Sequence, residues 1–129
     1  MEYREGLYYA ETHEWALLNN NDEIVICGIS DYAQNSLGDV VFVELPEVGK
    51  EVKKGESFGV IESVKTTSDV HAPLSGKIVE VNAKLKDKPE LINSSPFEEG
   101  WLIKIKPFNT AEMSSLMTVS DYKKYVESI

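Results

Sequence analysis

Between Gly55 and Gly76 two β-prone runs, Ser57 to Ser63 and Thr66 to Ala72, stand on either side of a single lysine, Lys65. Branched and aromatic residues in the runs, with a glycine at each outer end, predict an antiparallel hairpin with Lys65 at or beside its tip. Gly55 and Gly76 would close its base as residues able to take φ > 0. The tip has no Asn-Gly pair, so the expectation rests on the flanking runs rather than on a favoured turn. Lys65 is the only lysine or arginine between Lys54 and Lys77, and Glu62 and Asp69 lie near it in sequence. A lone tip lysine is either a surface charge or a handle, and the symmetry of this setting favours the handle.

The second constraint is an internal repeat. Gly38-Asp39-Val40-Val41-Phe42-Val43 aligns with Gly76-Lys77-Ile78-Val79-Glu80-Val81 at a constant offset of 38 residues. Each copy puts a β-branched pair after a glycine and is followed later by an aromatic-led run, Phe58 to Ile61 in one and Trp101 to Ile105 in the other. Two such units joined by the hairpin predict an all-β, quasi-symmetric sandwich of two sheets.

The remainder fills in around this frame. Tyr8 to Ala10, Glu14 to Leu18 and Glu23 to Gly28 read as strands, the last apolar enough to be buried on both faces, with Cys27 a small core residue. Ser30 caps a short helix through Asn35, and Gly38 marks its exit. Lys84 to Gly100, with Pro89 and Pro96, reads as a long loop, functional or packed on itself. Asn109 or Thr110 caps a helix Ala111 to Met117, with Met113, Leu116 and Met117 on one face. Ser120 with Asp121 starts another, with Tyr122, Tyr125 and Val126 on one face. The expected organisation is one domain over residues 1–129, with a core sandwich over about 8–106 and C-terminal helices over about 110–128.

Composition narrows the function classes. A chain of 129 residues holds a real core without metals or disulfides, and its single cysteine excludes an intramolecular disulfide. A formal charge of −9 disfavours nucleic acid and anionic membrane partners, and suits both solubility and encounter with basic patches. No apolar run approaches a membrane span of about 18 residues, and Met-Glu-Tyr-Arg-Glu resembles neither a signal nor an Arg-rich transit peptide. His13, His71 and Cys27 lack metal-ligand spacing.

Glu62-Ser63-Val64-Lys65, with Ser68-Asp69-Val70, Pro73, Ser75-Gly76 and Val79-Glu80-Val81-Asn82, resembles the H-protein family of the glycine cleavage system. So do His13-Glu14-Trp15, Gly28 to Gln34, Leu37 to Pro46, Glu90-Leu91-Ile92-Asn93 and Gly100 to Ile105, in the expected order over roughly residues 8 to 106. The resemblance implies a barrel-sandwich fold of the lipoyl and biotinyl carrier type, with lipoate in amide linkage on Lys65. It implies a shuttle and not an enzyme. The aminomethyl group is taken from a pyridoxal-phosphate glycine decarboxylase and given up to a tetrahydrofolate-dependent aminomethyltransferase. The dithiol is reoxidised by an FAD-dependent dihydrolipoamide dehydrogenase. Glu62, Ser63, Ser68 and Asp69 become the surroundings that a lipoylating enzyme reads, or simply hairpin polar residues. Glu14 becomes a contact for the loaded arm, or a surface carboxylate beside a structural Trp15. The compartment would be the mitochondrial matrix, for a processed eukaryotic form, or the bacterial cytoplasm.

The chemistry of the residues agrees. An exposed lysine ammonium stays protonated at neutral pH, and acidic neighbours would hold it so, which disfavours a Schiff-base enzyme. A handle modified by another enzyme fits better, since a lipoyl group brings its own chemistry. Thr66 departs from the alanine common after the lysine in relatives. The tip also lacks the methionine-flanked lysine of biotin carriers and the Asp-Lys pair of 2-oxo acid dehydrogenase lipoyl domains. A carrier that relays lipoate to other proteins, and an unmodified scaffold that only binds a partner, remain the alternatives.

Overall fold

A computed structural model describes residues 1–129. Strands β1 (Tyr8–Tyr9), β2 (Glu14–Leu18) and β3 (Val25–Ile29) form an antiparallel meander. β3 begins two residues later than the sequence suggests, because Glu23 sits in the left-handed region at φ 57° and still belongs to the turn. Trp15 pairs with Gly28, and its ring occupies the space a side chain there would need: a Cβ at Gly28 would lie 2.6 Å from it. Cys27 is fully buried, the small core residue expected.

Helix α1 (Asp31–Leu37) starts where Ser30 Oγ accepts the Ala33 N–H at 3.2 Å. It runs two residues past the expected Asn35 and leaves through Gly38 at φ 82°. Six strands follow: β4 (Val40–Glu44), β5 (Glu51–Val52), β6 (Ser57–Ser63), β7 (Thr67–His71), β8 (Gly76–Val81) and β9 (Ile103–Pro107). They complete two sheets, ordered β1-β2-β3-β9-β8-β5 and β4-β6-β7. The sheets do not close into a barrel; the architecture is a flattened barrel-sandwich. Its core is built from Val25, Ile61, Leu74, Ile78, Leu102 and Ile105 among others.

The repeat is real at the level of hydrogen-bond register. β4 pairs antiparallel with β6, and β8 pairs antiparallel with β9. In both pairs the register slips at the same repeat position: Val41 is bulged in the first and Val79 in the second, each an exposed valine. A bulge adds twist and bends its strand, so two matching bulges curve the two units alike. The aromatic-led run of the second copy needs correction, for β9 starts at Ile103, and Trp101 and Leu102 lead into it.

The bracketing glycines also divide. Gly55 takes φ 86°, as expected of a turn, whereas Gly76 lies within β8 and is not in the left-handed region. Gly76 is required by close approach instead, since a Cβ there would lie 2.4 Å from the Lys106 carbonyl oxygen.

Lys84 to Gly100 packs on itself, as one expectation had it, but is not one unbroken loop. Helices α2 (Lys84–Asp87) and α3 (Leu91–Ser94) interrupt it, burying Leu85 and Ile92. At the C-terminus the expected helix Ala111 to Met117 is a 3₁₀ helix, Thr110–Ser115, capped by Asn109. Met117 leaves it to bridge Tyr9, with Tyr9 N–H on Met117 O at 2.9 Å and the reverse bond at 2.8 Å. Helix α4 (Val119–Ser128) starts earlier than expected because Thr118, not Ser120, accepts the Asp121 N–H. Its Tyr122 is buried in a second apolar cluster with Leu7, Tyr9, Trp15 and Phe97. No helix is long and apolar enough to cross a membrane.

Candidate functional site

The hairpin of β6 and β7 puts Lys65 at its tip, exposed. The tip is held from inside and from beside. Ser63 N–H donates to Thr66 O at 2.8 Å, and Ser63 Oγ accepts from Thr66 N–H at 3.1 Å and Lys65 N–H at 3.3 Å. A serine turn of this kind replaces the missing Asn-Gly signal. From beside, Val64 N–H donates to Asp39 O at 3.0 Å, which ties the tip to the start of β4.

That start is fixed in turn by Asn93. Its Oδ1 accepts Val40 N–H at 2.8 Å, and its Nδ2 donates to Gly38 O at 2.9 Å and Gln34 Oε1 at 3.0 Å. Between them Gly38 forms a shelf for the lysine stem: a Cβ there would lie 3.3 Å from Lys65 Cε and 3.7 Å from Cδ. The lysine therefore leaves from a turn pinned on two sides, with its stem resting on the first glycine of the repeat.

Glu62 and Asp69 do not hold the ammonium; the ion pairs of the chain involve Arg4, His71 and Lys104 and leave Lys65 out. Both sit on outward-alternating rows, Asp69 also reaching the rim of the neighbouring cleft. Glu62 shares a cross-strand row with Phe42 and Thr67, and Asp69 shares the next with Glu44 and Val60. Asp69 Oδ1 accepts instead from Ser57 Oγ at 3.2 Å. Ser68 pairs with buried Ile61 and turns toward the interior side.

On that side lies a cleft of about 320 Å³ between β7, α1 and the turn before β2. Its size is at the lower end for small-ligand pockets, about 300–1,000 Å³. Ile29, Leu37, Ile61 and Val70 give it an apolar wall, and Thr12, Glu14, Thr66 and Ser68 give it polar groups. Grooves of about 330, 620 and 570 Å³ open elsewhere, and none of them is lined by Glu14. What distinguishes the smaller cleft is Glu14, a carboxylate only 2 % exposed. The alternative of a surface carboxylate is thereby corrected. Oε2 accepts His71 N–H at 2.9 Å, and Oε1 accepts the Thr12 hydroxyl. Burial holds the Glu14 carboxyl above the ordinary glutamate range, while the His71 N–H and the Thr12 hydroxyl oppose that shift.

His13 stands next to it, at φ 78°, with Nδ1 2.8 Å from Tyr122 Oη. Tyr122 Oη is also 2.6 Å from Ser30 Oγ, the cap of α1. Burial lowers the His13 pKa and raises that of Tyr122, so both groups are held neutral. The C-terminal helix thus fastens the two walls of the cleft. Cys27 stays inert behind it, its thiol pushed far up by burial and by Glu14.

Sequence reading missed Asn93, Thr12 and the seat at Gly38. Asn93 and Gly38 stood inside family-like blocks without a role, and Thr12 directly precedes the His-Glu-Trp run.

Residues 7–129 match the family model described as glycine cleavage H-protein. The mitochondrial glycine cleavage system H protein of Flaveria pringlei is 54% identical over 123 residues, covering 95% of this chain and 75% of that protein. The glycine cleavage system H protein of Anaeromyxobacter sp. (strain K) is 52% identical over 127 residues, covering 98% of each. A crystal structure of the glycine cleavage system H protein from Mycobacterium marinum superposes with TM-score 0.86 at 42% identity, over 94% of this chain and 96% of that one. The chain therefore belongs to the glycine cleavage H-protein family, lipoyl-bearing shuttles that serve the glycine cleavage system as carrier subunits and not as catalysts.

Proposed function

We propose that Lys65 is the attachment point of lipoate, through an amide at Nζ, and that the cleft containing Glu14 shelters the arm's cargo between partner enzymes. One juxtaposition carries this reading: an exposed lysine on a turn pinned from two sides, beside a cleft with one apolar wall and one buried carboxylate. When bound, the lipoyl group supplies a disulfide that can be opened, loaded with the aminomethyl fragment of glycine and closed again.

The residues divide the work. Ser63 and the Val64–Asp39 bond fix where the arm begins, so its motion starts from a defined pivot. Gly38 leaves space for the stem to lie flat. Ile29, Leu37, Ile61 and Val70 give the cleft an apolar wall for the arm to lie against. Glu14 faces a cation with a carboxylate in a low-dielectric setting, where attraction is several times stronger than in bulk water. Thr12 and His71 N–H hold that carboxylate in place. Glu62, Ser63, Ser68 and Asp69 form the surroundings that the lipoylating enzyme reads. The outer rows Phe42-Glu62-Thr67 and Glu44-Val60-Asp69 carry three carboxylates outside any ion pair, a surface that basic patches on partners complement.

The partners are the pyridoxal-phosphate glycine decarboxylase, the tetrahydrofolate-dependent aminomethyltransferase, the FAD-dependent dihydrolipoamide dehydrogenase and the lipoylating enzyme. The whole of residues 1–129 acts as one carrier domain, in the mitochondrial matrix of a eukaryote or the cytoplasm of a bacterium. Reconstitution tests the assignment. With glycine decarboxylase, the lipoylated chain should support exchange of labelled CO₂ into glycine, and Lys65→Arg taken through the same lipoylation step should not. Equal exchange from Lys65→Arg would overturn it.

A further inference from the structure

His71 meets the cleft carboxylate twice. Its backbone N–H donates to Glu14 Oε2 at 2.9 Å, and its ring Nδ1 stands 3.6 Å from the same oxygen. The second distance is too long for a hydrogen bond but within ion-pair range. Nδ1 is itself buried and has no hydrogen-bond partner, although the side chain as a whole is 34% exposed. A buried nitrogen without a partner calls for a physical reason. With Nδ1 deprotonated, its lone pair would face a carboxylate; with Nδ1 protonated, a shift of a few tenths of an ångström makes a charge-assisted bond.

No lysine or arginine comes within ion-pair distance of Glu14; the His71 ring alone does. No other titratable group around the cleft is within reach of Glu14 as a counter-ion. His13 and Tyr32 stand on its walls, Asp69 adds a second carboxyl at its rim from β7 and accepts from Ser57, and Cys27 lies buried behind on β3. His13 Nδ1 is engaged by Tyr122 instead.

We propose that His71 is the resident counter-charge of Glu14: its ring occupies Oε2 of the carboxylate and yields that oxygen when a cationic group enters the cleft. The ring is suited to yielding, because its partly exposed side chain can swing outward while its backbone N–H keeps Glu14 in place. This makes His71 a positioning residue that acts through Glu14, and it sets how strongly the cleft holds a cation. The inference rests on the reading of the cleft as a cation shelter but is independent of where lipoate is attached.

The test uses the unlipoylated chain. The Glu14 side-chain carboxyl ¹³C signal is titrated in wild type, His71→Asn and His71→Gln, all of which keep the backbone N–H. Loss of the ring should move the Glu14 midpoint up by about one pH unit in both variants. At pH 6, methylammonium chloride should perturb the Glu14 signal more in His71→Asn than in wild type, because the competitor is gone. An unchanged midpoint, or equal methylammonium responses, overturns the proposal and leaves the Lys65 assignment intact. If the His71 variants fail to fold, Glu14→Gln is read instead through the ring nitrogens. The Nδ1 resonance of His71 should move and that of His13 should not; an unmoved His71 resonance overturns the proposal.

Discussion

The two β-units of this chain share a plan and part at one place. In each, a glycine stands at the start of a strand or two residues before it, a bulged valine follows three residues after the glycine, and the partner strand runs back antiparallel. Partners also correspond, at an offset of 42 residues: Ser63, Glu62 and Ile61 of β6 match Ile105, Lys104 and Ile103 of β9. At that offset Lys65 corresponds to Pro107, and Pro107 pairs with Gly76. Lys65 lies over Gly38, the glycine equivalent to Gly76, without pairing. The second unit closes its ladder in the middle of a six-stranded sheet. The first stops pairing after Val40–Ser63 and spends the freed residues on a tip. The same scaffold is thus used once for stability and once to present a lysine.

Substitution at the matched glycines gives the largest effect. Gly76→Ala drives a Cβ to 2.4 Å from backbone and should lose about 3 kcal/mol in urea unfolding. Gly38→Ala meets only the flexible lysine stem at 3.3 Å, so its loss, about 2 kcal/mol, should come from the backbone at φ 82° and ψ −163°, a conformation nearly reserved for glycine. Equal losses would break the comparison. Asn93→Ala removes three bonds around the first unit's glycine and should lose about 2 kcal/mol, with faster hydrogen exchange at the Val64 amide. Unchanged Val64 exchange would show that the clamp does not reach the tip. Ser63→Ala should lose about 1 kcal/mol or less but speed tryptic cleavage after Lys65.

The smallest effect is on pH, and it comes from two groups of the cleft beside the first unit, His13 and Glu14. Burial lowers the His13 pKa, so below about pH 6.5 the unfolded chain takes up the proton first. Stability should therefore fall as pH drops from 7 through 6.5, and His13→Asn, which tolerates the local φ of 78°, should flatten that fall. Glu14 contributes the opposite slope in a lower window. The folded chain holds its proton more tightly, so stability declines as pH rises from about 4.5 through the raised value.

What could be read from the sequence was what is local or periodic. The hairpin, the repeat and the cap at Ser30 all follow from β-propensity, spacing and a side-chain oxygen before a helix. Long-range requirements were hidden. Gly76 looked like a turn glycine because nothing local announces that Lys106 O passes 2.4 Å from its missing Cβ. Glu14 could be a surface or a buried carboxylate until the fold brought Thr12 and His71 to it. Asn93 is separated by 53 residues from the Val40 amide that it holds, so its role is invisible along the chain. The segment from Lys84 to Gly100 misled because two one-turn helices are too short to show a period.

The most direct measurement is intact mass followed by peptide mapping, after expression with and without lipoate in cells that lipoylate a second, known carrier. A lipoyl-sized gain confined to the Lys65 peptide, and lost in Lys65→Arg, is the predicted result. A gain on any other lysine, or none while the control carrier is modified, would contradict the account.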